Sequence, residues 1–236
     1  KDTVPALLNV DLDLRPGMSV GLAGESGCGK TTLARVLVRQ VNVRSGSLML
    51  GGSDFLASKG DKLRQQRRMG QLVFQDPAAS LNPQLKVGEM LREAVGSGKT
   101  RVEELLGEVD LSLDVLHRYG HQLSGGQRQR VALARALATE PAFLIADEVT
   151  SALDPRARHT IMSLISEIME RRNLAVLQIS HDLDLLQRWC HQVQVMLGGV
   201  ILEVYPGGEG CVARHPYSLN LHASMPAALR AQERSQ

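Results

Sequence analysis

The first apolar run of strand length is "MSVGLAG" (Met18 to Gly24), and it ends in glycine. It is followed by "TTLARVLVRQ" (Thr31 to Gln40), where Leu33, Val36 and Leu37 fall on one face of a helix. The pattern therefore predicts a strand, a glycine-rich loop and a helix in that order. Next, "SGSLMLGGSDF" (Ser45 to Phe55) reads as a hairpin-like pair of short strands, and "MGQLVFQDP" (Met69 to Pro77) as a strand that Pro77 terminates. From Leu85 to about Ala138 the spacing turns helical: "VGEMLREAV", "RVEELLGEVDL" and "QRQRVALARALA" each present an apolar stripe. The alternation then resumes with a strand in "AFLIAD" (Ala142 to Asp147) and a helix in "RHTIMSLISEIMERR" (Arg158 to Arg172). The next strand is "LAVLQIS" (Leu174 to Ser180). Ile161, Leu164, Ile165 and Ile168 recur at helical spacing and read simply as core.

This organisation predicts one α/β domain over residues 1–236. Its core spans 1–75 and 139–205 and includes a small antiparallel β part. A helical subdomain is inserted at 76–138, and 206–236 form a C-terminal tail. With 43% hydrophobic but only 3% aromatic residues, aliphatic side chains must fill the core. No apolar run approaches the ~18 residues of a membrane-spanning helix, and the start lacks a signal-peptide pattern, so a soluble chain is expected. A net charge of +2 is too mild to argue for nucleic acid or anionic lipid. Cys28, Cys190 and Cys211 have neither metal-ligand spacing nor an even count, which points to a reducing cytoplasm. Lys1 is not an initiator methionine, and a missing N-terminal segment is expected.

Chemistry enters with "GESGCGKTT", residues 24 to 32, which fits G-x-x-x-x-G-K-[ST] without a mismatch. Gly24, Gly27 and Gly29 permit backbone angles that turn the loop's N–H groups (Glu25, Ser26, Cys28 and Thr32 among them) inward above a helix N-terminus, a phosphate cradle. Lys30 adds a point charge for β- and γ-phosphates, and the Thr31 hydroxyl can ligate Mg2+. "FLIADE" (Phe143 to Glu148) is a buried strand whose C-terminal end would deliver Asp147 to the same crevice as a second Mg2+ ligand. Glu148, one step on, can act as general base toward water. An acidic turn after a strand is often incidental; behind a phosphate loop in the same sheet it is not.

"LSGGQRQRVALARALA" (Leu123 to Ala138) places Ser124, Gly125 and Gly126 directly before a helix, a second anion-binding terminus. One nucleotide does not need two cradles on opposite lobes, so the second is expected to serve the nucleotide of a partner subunit.

At these motifs the chain closely resembles the ATP-binding subunits of ABC transporters, whose signature is LSGGQ (Leu123 to Gln127). The resemblance extends over essentially the whole chain. It implies a P-loop NTPase fold of the ABC ATPase type, with ATP and Mg2+ as cofactors. It also implies a second ATPase subunit, identical or not, paired head to tail so that each ATP lies between one P-loop and the other signature. By the same resemblance Gln75 matches the Q-loop glutamine that senses Mg2+ and the attacking water. Asp154 of "SALD" matches the D-loop residue reaching across the dimer, and His181 of "ISHDL" the switch histidine at the γ-phosphate. Integral membrane permease subunits, and indirectly a periplasmic or extracellular solute-binding protein, are the implied partners, with no nucleic acid. The implied location is peripheral, on the cytoplasmic face of the inner membrane.

The chain departs from the family pattern twice. Val149 stands where proline is usual, and residues 1 to 17 hold no aromatic to stack adenine; such a residue, like the first strand of the antiparallel part, is expected upstream. "VFQDPAASLNPQLKVGEML" (Val73 to Leu91) and "HPYSLNLHASMP" (His215 to Pro226) resemble the nickel, peptide and metallophore importer branch. Cys211 alone cannot supply the iron-sulfur cluster that some members carry. Accessory ATPases of the carbon-phosphorus lyase system, DNA-repair or translation ABC ATPases, and an inactive binding module are the competing readings. The last is disfavoured by the joint presence of Lys30, Asp147, Glu148 and His181. Cys28, inside the loop, is expected to make activity sensitive to thiol alkylation.

Overall fold

The computed structural model describes residues 5–76, 80–96, 99–151, 153–208 and 213–223. Six strands form one sheet: β1 (Ser19–Ala23), β4 (Gly70–Val73), β5 (Phe143–Asp147), β6 (Ala175–Ser180), β7 (Gln192–Leu197) and β8 (Val200–Pro206). Their spatial order is β4-β5-β6-β1-β7-β8. Every pairing is parallel except β7 with β8, which form a hairpin. Every residue of β1, β5 and β6 is buried, as a parallel sheet covered on both faces requires. The two-residue strands β2 (Met49–Leu50) and β3 (Ser53–Asp54) pair antiparallel around Gly51 and Gly52.

Helix α1 (Lys30–Leu37) follows the first loop and packs Leu33, Ala34 and Leu37 on one face of the sheet, against Val20, Ile145 and Leu177. The helical region comprises α3 (Val87–Val95), α4 (Lys99–Glu108) and α5 (Gly125–Leu137). Its buried Leu91, Leu105, Leu106, Val131 and Leu137 belong to the same apolar cluster as Leu144 and Val176 of the sheet and Ile161, Leu164, Ile165 and Ile168 of α6 (Pro155–Arg172). The α6 stripe thus lies in the core, as its spacing predicts. No helix among the described residues is long and apolar enough to cross a membrane.

Several boundaries differ from the sequence reading. The strand expected over 69–77 is only β4: at its start Met69 belongs to a helix, α2 (Gly60–Met69), and at its end the pairing with β5 stops at Val73. That helix carries no apolar stripe: "GDKLRQQRRM" buries only Gln66, so periodicity could not reveal it. Pro77, the expected terminator, lies outside the described residues, as does Cys211. Helix α6 begins three residues before Arg158, because the Asp154 carboxylate caps it by accepting from the Ala157 amide at 3.0 Å and Pro155 takes the first helical position. The short helix α7 (Leu183–Trp189) and the β7–β8 hairpin complete the core, and α8 (Pro216–Ala223) lies in the tail.

Candidate nucleotide site

The register of the central strands brings the chemistry together. Ala23 pairs with Ser180 and Asp147 with Ile179, so β1, β5 and β6 end side by side and release Gly24, Glu148 and His181 at one edge of the sheet. The crevice at the carboxyl ends of parallel strands is where such folds hold ligands. A cavity of about 350 Å3 opens there, lined by Ser26, Gly27, Gly29, Lys30, Thr31, Thr32, Gln75, Asp147, Glu148 and His181.

The loop is shaped by its glycines. A Cβ at Gly24 would lie 2.4 Å from the Met196 carbonyl oxygen and 2.7 Å from Cys28 Sγ, so only glycine lets β1 pass so close to β7. Gly27 has φ 82° with open space above it, a left-handed turn on the face presented to the cavity. The hairpin buttresses the loop from behind: the Gly199 amide donates to the Cys28 carbonyl at 2.8 Å. Lys30 is buried, and its ammonium donates to the carbonyls of Gly24 at 2.6 Å and Glu25 at 2.9 Å. The cation is thus held by neutral acceptors within the loop, with no carboxylate neutralising it among its hydrogen-bond partners, and it lines the cavity.

Two carboxylates are differentiated by their surroundings. Asp147 is buried and accepts from the Thr31 hydroxyl at 3.0 Å. Burial pushes its carboxyl above the ordinary value; the Thr31 hydrogen bond opposes this, the Glu148 charge adds to it and Lys30 again opposes it. A divalent cation would relieve that penalty. The donor set fits Mg2+: one hydroxyl, one carboxylate and the Gln75 amide around the same cavity are few and oxygen-rich, leaving positions for phosphate and water. No group of three or more His, Cys, Asp or Glu capable of caging a metal exists among the described residues.

Glu148 has φ 54°, an uncommon left-handed conformation for a residue with a side chain. It is held there from both sides: its amide donates to Ile179 O at 2.9 Å, and its carbonyl accepts from the Ser151 amide at 3.1 Å and hydroxyl at 2.9 Å. Its carboxylate lies 2.9 Å from His181 Nδ1, and that contact raises the histidine pKa above its usual value, against a smaller opposing effect of burial. Asp182, next to His181, caps α7 through the Leu185 amide at 2.9 Å and binds Arg158 of α6 at 2.8 Å. The segment bearing His181 is therefore tied to the helix that Asp154 caps.

The remaining predicted residues stand apart. Ser124 caps α5 by accepting from the Gln127 amide at 3.2 Å, while Gln127 Oε1 accepts from the Ser124 amide at 3.0 Å, a reciprocal capping box. Ser124, Gly125, Gly126, Gln127 and Asp154 do not line the cavity, and a Cβ at Gly125 or Gly126 would meet nothing within 4 Å. Gly24, Glu25 and Cys28 shape the loop from outside the cavity wall. Cys28 corrects an expectation, since its side chain is only 6% exposed and packs into the core, out of easy reach of an alkylating reagent. Val149 is likewise buried in the apolar cluster beneath the site, so valine there contributes packing. Sequence reasoning missed Tyr217, whose phenol oxygen accepts from the Glu25 amide at 3.3 Å, because no local pattern ties a tail aromatic to a loop 192 residues away.

Comparisons with known proteins agree with this geometry. The family described as ABC transporter matches residues 7–151. A putative peptide import ATP-binding protein of Brucella ovis is 40% identical over 235 residues, covering 95% of this chain and 74% of the relative. A dipeptide transport ATP-binding protein of Lactococcus lactis is 40% identical, covering 97% of this chain and 77% of the relative. Among solved structures, cbiO1 from Clostridium perfringens, part of an ABC transporter complex, superposes with a TM-score of 0.77 at 28% identity, covering 84% of this chain and 81% of that one. A dimeric post-hydrolysis ATP-binding cassette bound to ADP and Pi superposes with a TM-score of 0.74 at 27% identity, over 85% and 90% of the two chains. With a glycine-rich loop, two carboxylates and His181 around one cavity, and with a family match over residues 7–151, this chain belongs to the ABC transporter family as an ATP-binding, ATP-hydrolysing domain.

Proposed function

We propose that the chain energises an importer of the peptide, nickel or metallophore type, working as a head-to-tail dimer on permease subunits at the cytoplasmic face of the inner membrane. The names of its relatives favour a peptide-like solute and weigh against the soluble lyase-accessory reading. The observation that carries the mechanism is the split between two groups of residues. Lys30, Thr31, Gln75, Asp147, Glu148 and His181 surround one cavity, whereas Ser124 to Gln127 and Asp154 do not. A helix terminus that stands apart from this chain's own cavity suits the nucleotide of a second subunit.

In this reading Lys30 keeps the Gly24 and Glu25 carbonyls and offers its remaining N–H to the β- and γ-phosphates. Thr31, Asp147 and Gln75 would hold Mg2+, whose charge would shield the phosphates. Glu148, aimed by its left-handed backbone and steadied by His181, takes the proton of the attacking water. The partner's signature completes the γ-phosphate shell on closure, so binding energy becomes motion that hydrolysis resets. The isolated chain is then mostly monomeric without ATP, and a weak ATPase.

Glu148→Gln tests the assignment. It keeps size and hydrogen bonding but removes the base, so ATP still binds while turnover falls by roughly two orders of magnitude or more. Light scattering with Mg-ATP should then show an accumulated dimer. Normal hydrolysis with no dimer would exclude Glu148 as the base.

A further inference from the structure

The tail reaches the phosphate loop. Tyr217, near the start of α8, lies beside Glu25, and one peptide unit of the loop sits between two side chains. The peptide joining Gly24 to Glu25 turns its carbonyl to Lys30 Nζ at 2.6 Å and its N–H to the Tyr217 oxygen at 3.3 Å. No cis bond occurs among the described residues, so this C=O and N–H point in opposite directions. The two contacts therefore fix the same rotation of the plane: a peptide flip would turn the N–H toward the Lys30 ammonium and the carbonyl toward the phenol.

The tail is anchored well enough to do this. Glu203 Oε1 on β8 accepts from the amides of Arg214 at 2.6 Å and His215 at 3.2 Å, and the Tyr217 amide donates to His215 Nδ1 at 3.2 Å. Ser218 is fully buried. Tyr217 and Leu221 pack on the cluster formed by Ala23, Leu186, Val193 and Val195, and Ala23 is the residue immediately before Gly24. The strand end that launches the loop and the phenol that orients its first peptide thus belong to one packed unit.

We propose that Tyr217 is a positioning residue for nucleotide binding: through the Glu25 amide it holds the Gly24–Glu25 peptide in the orientation that keeps the Lys30 ammonium at the mouth of the phosphate cradle. This makes the C-terminal tail a strut of the ATP site. The proposal rests on phosphate binding at Lys30.

The test measures affinity for a non-hydrolysable ATP analogue with Mg2+, by titration calorimetry on the full chain. Tyr217→Phe keeps the ring and its packing and removes the phenol oxygen, with its hydrogen bonds to the Glu25 amide and side chain. Loss of the phenol's hydrogen bonding should weaken binding about two- to tenfold, with the loss appearing in KM rather than kcat and with a smaller fall in nucleotide-free Tm than Leu221→Ala gives. Leu221→Ala disturbs the packing but keeps the phenol, so it should lower Tm with less than half the affinity loss of Tyr217→Phe. Unchanged affinity in Tyr217→Phe, or an equal loss in Leu221→Ala, overturns the proposal. Coupling is reciprocal, so in the unmodified chain the analogue should slow amide hydrogen exchange across residues 213–223; exchange unaffected by saturating analogue also overturns it, with no variant needing to fold. Lys30→Ala separates the two levels. If it abolishes binding while Tyr217→Phe changes nothing, only the strut fails; if it binds normally, the site reading fails and the strut with it.

Discussion

At the residue scale, Asp147, which ends β5, and Glu148, which follows it, sit in different surroundings one step of chain apart. Asp147 is buried with its carboxyl pKa raised chiefly by desolvation. The sign follows directly. The folded state binds this proton more tightly than the unfolded chain, so the carboxylate costs stability above its folded pKa and none below the ordinary value of 3.8. Asp147→Asn should therefore raise the nucleotide-free Tm at neutral pH while removing the Mg2+-dependent part of ATP stabilisation; a Tm that falls would contradict the burial argument. His181 behaves oppositely in charge. Its pKa is raised chiefly by its hydrogen bond to Glu148, so the pair stabilises the fold fully below the ordinary value of 6.5, and that gain is lost as pH rises through the folded value. In His181→Gln this part of the pH dependence of Tm should flatten, and a profile identical to the unmodified chain would refute the pairing.

At the scale of elements, the phosphate loop, β5 and α6 were legible because backbone geometry or burial dictates their residues. Gly24 must be glycine where β1 meets the Met196 carbonyl, and the four isoleucine and leucine positions of α6 must face the core. Helix α2 was illegible, since a polar surface helix imposes no pattern, and the Met69–Pro77 strand was overextended because that helix consumes Met69. The Tyr217 contact and the hairpin behind Cys28 join residues far apart in the chain, so no window of sequence holds them. The same packing governs reactivity. Cys28 is buried between loop and hairpin, and burial pushes Cys190 up to about 12. Alkylation mapped by peptide mass should find both thiols slow in the native chain, with bound nucleotide slowing Cys28 further as it holds the loop closed. Rapid modification of Cys28 would mean that the loop opens freely.

On the scale of the whole molecule, the glycine-rich loop and the Ser124 helix terminus do not share one cavity. Under the proposed function, the glycine-rich loop with Asp147, Glu148 and His181 is one half of a site, and the capped terminus at Ser124, which stands apart from that cavity, is the complementary half. Arg158 joins the α6 cap region to the segment bearing His181, so a partner pressing on Asp154 would act on a piece tied to His181. The central claim is that these halves come from two chains, and complementation tests it most directly. Lys30→Ala and Ser124→Arg chains are each purified inactive and then mixed. Each change removes a charge-stabilising group and costs several kcal/mol of transition-state stabilisation at its own site. In the head-to-tail arrangement the mixture rebuilds one intact site, with Lys30 from the signature mutant facing Ser124 from the P-loop mutant, and ATPase activity returns only on mixing. If the natural partner is a different ATPase subunit, the two changes are divided between the chains in the same way. Absence of rescue in both the self-mixed and partner-mixed experiments, with ATP binding and dimerisation verified, would contradict the shared site.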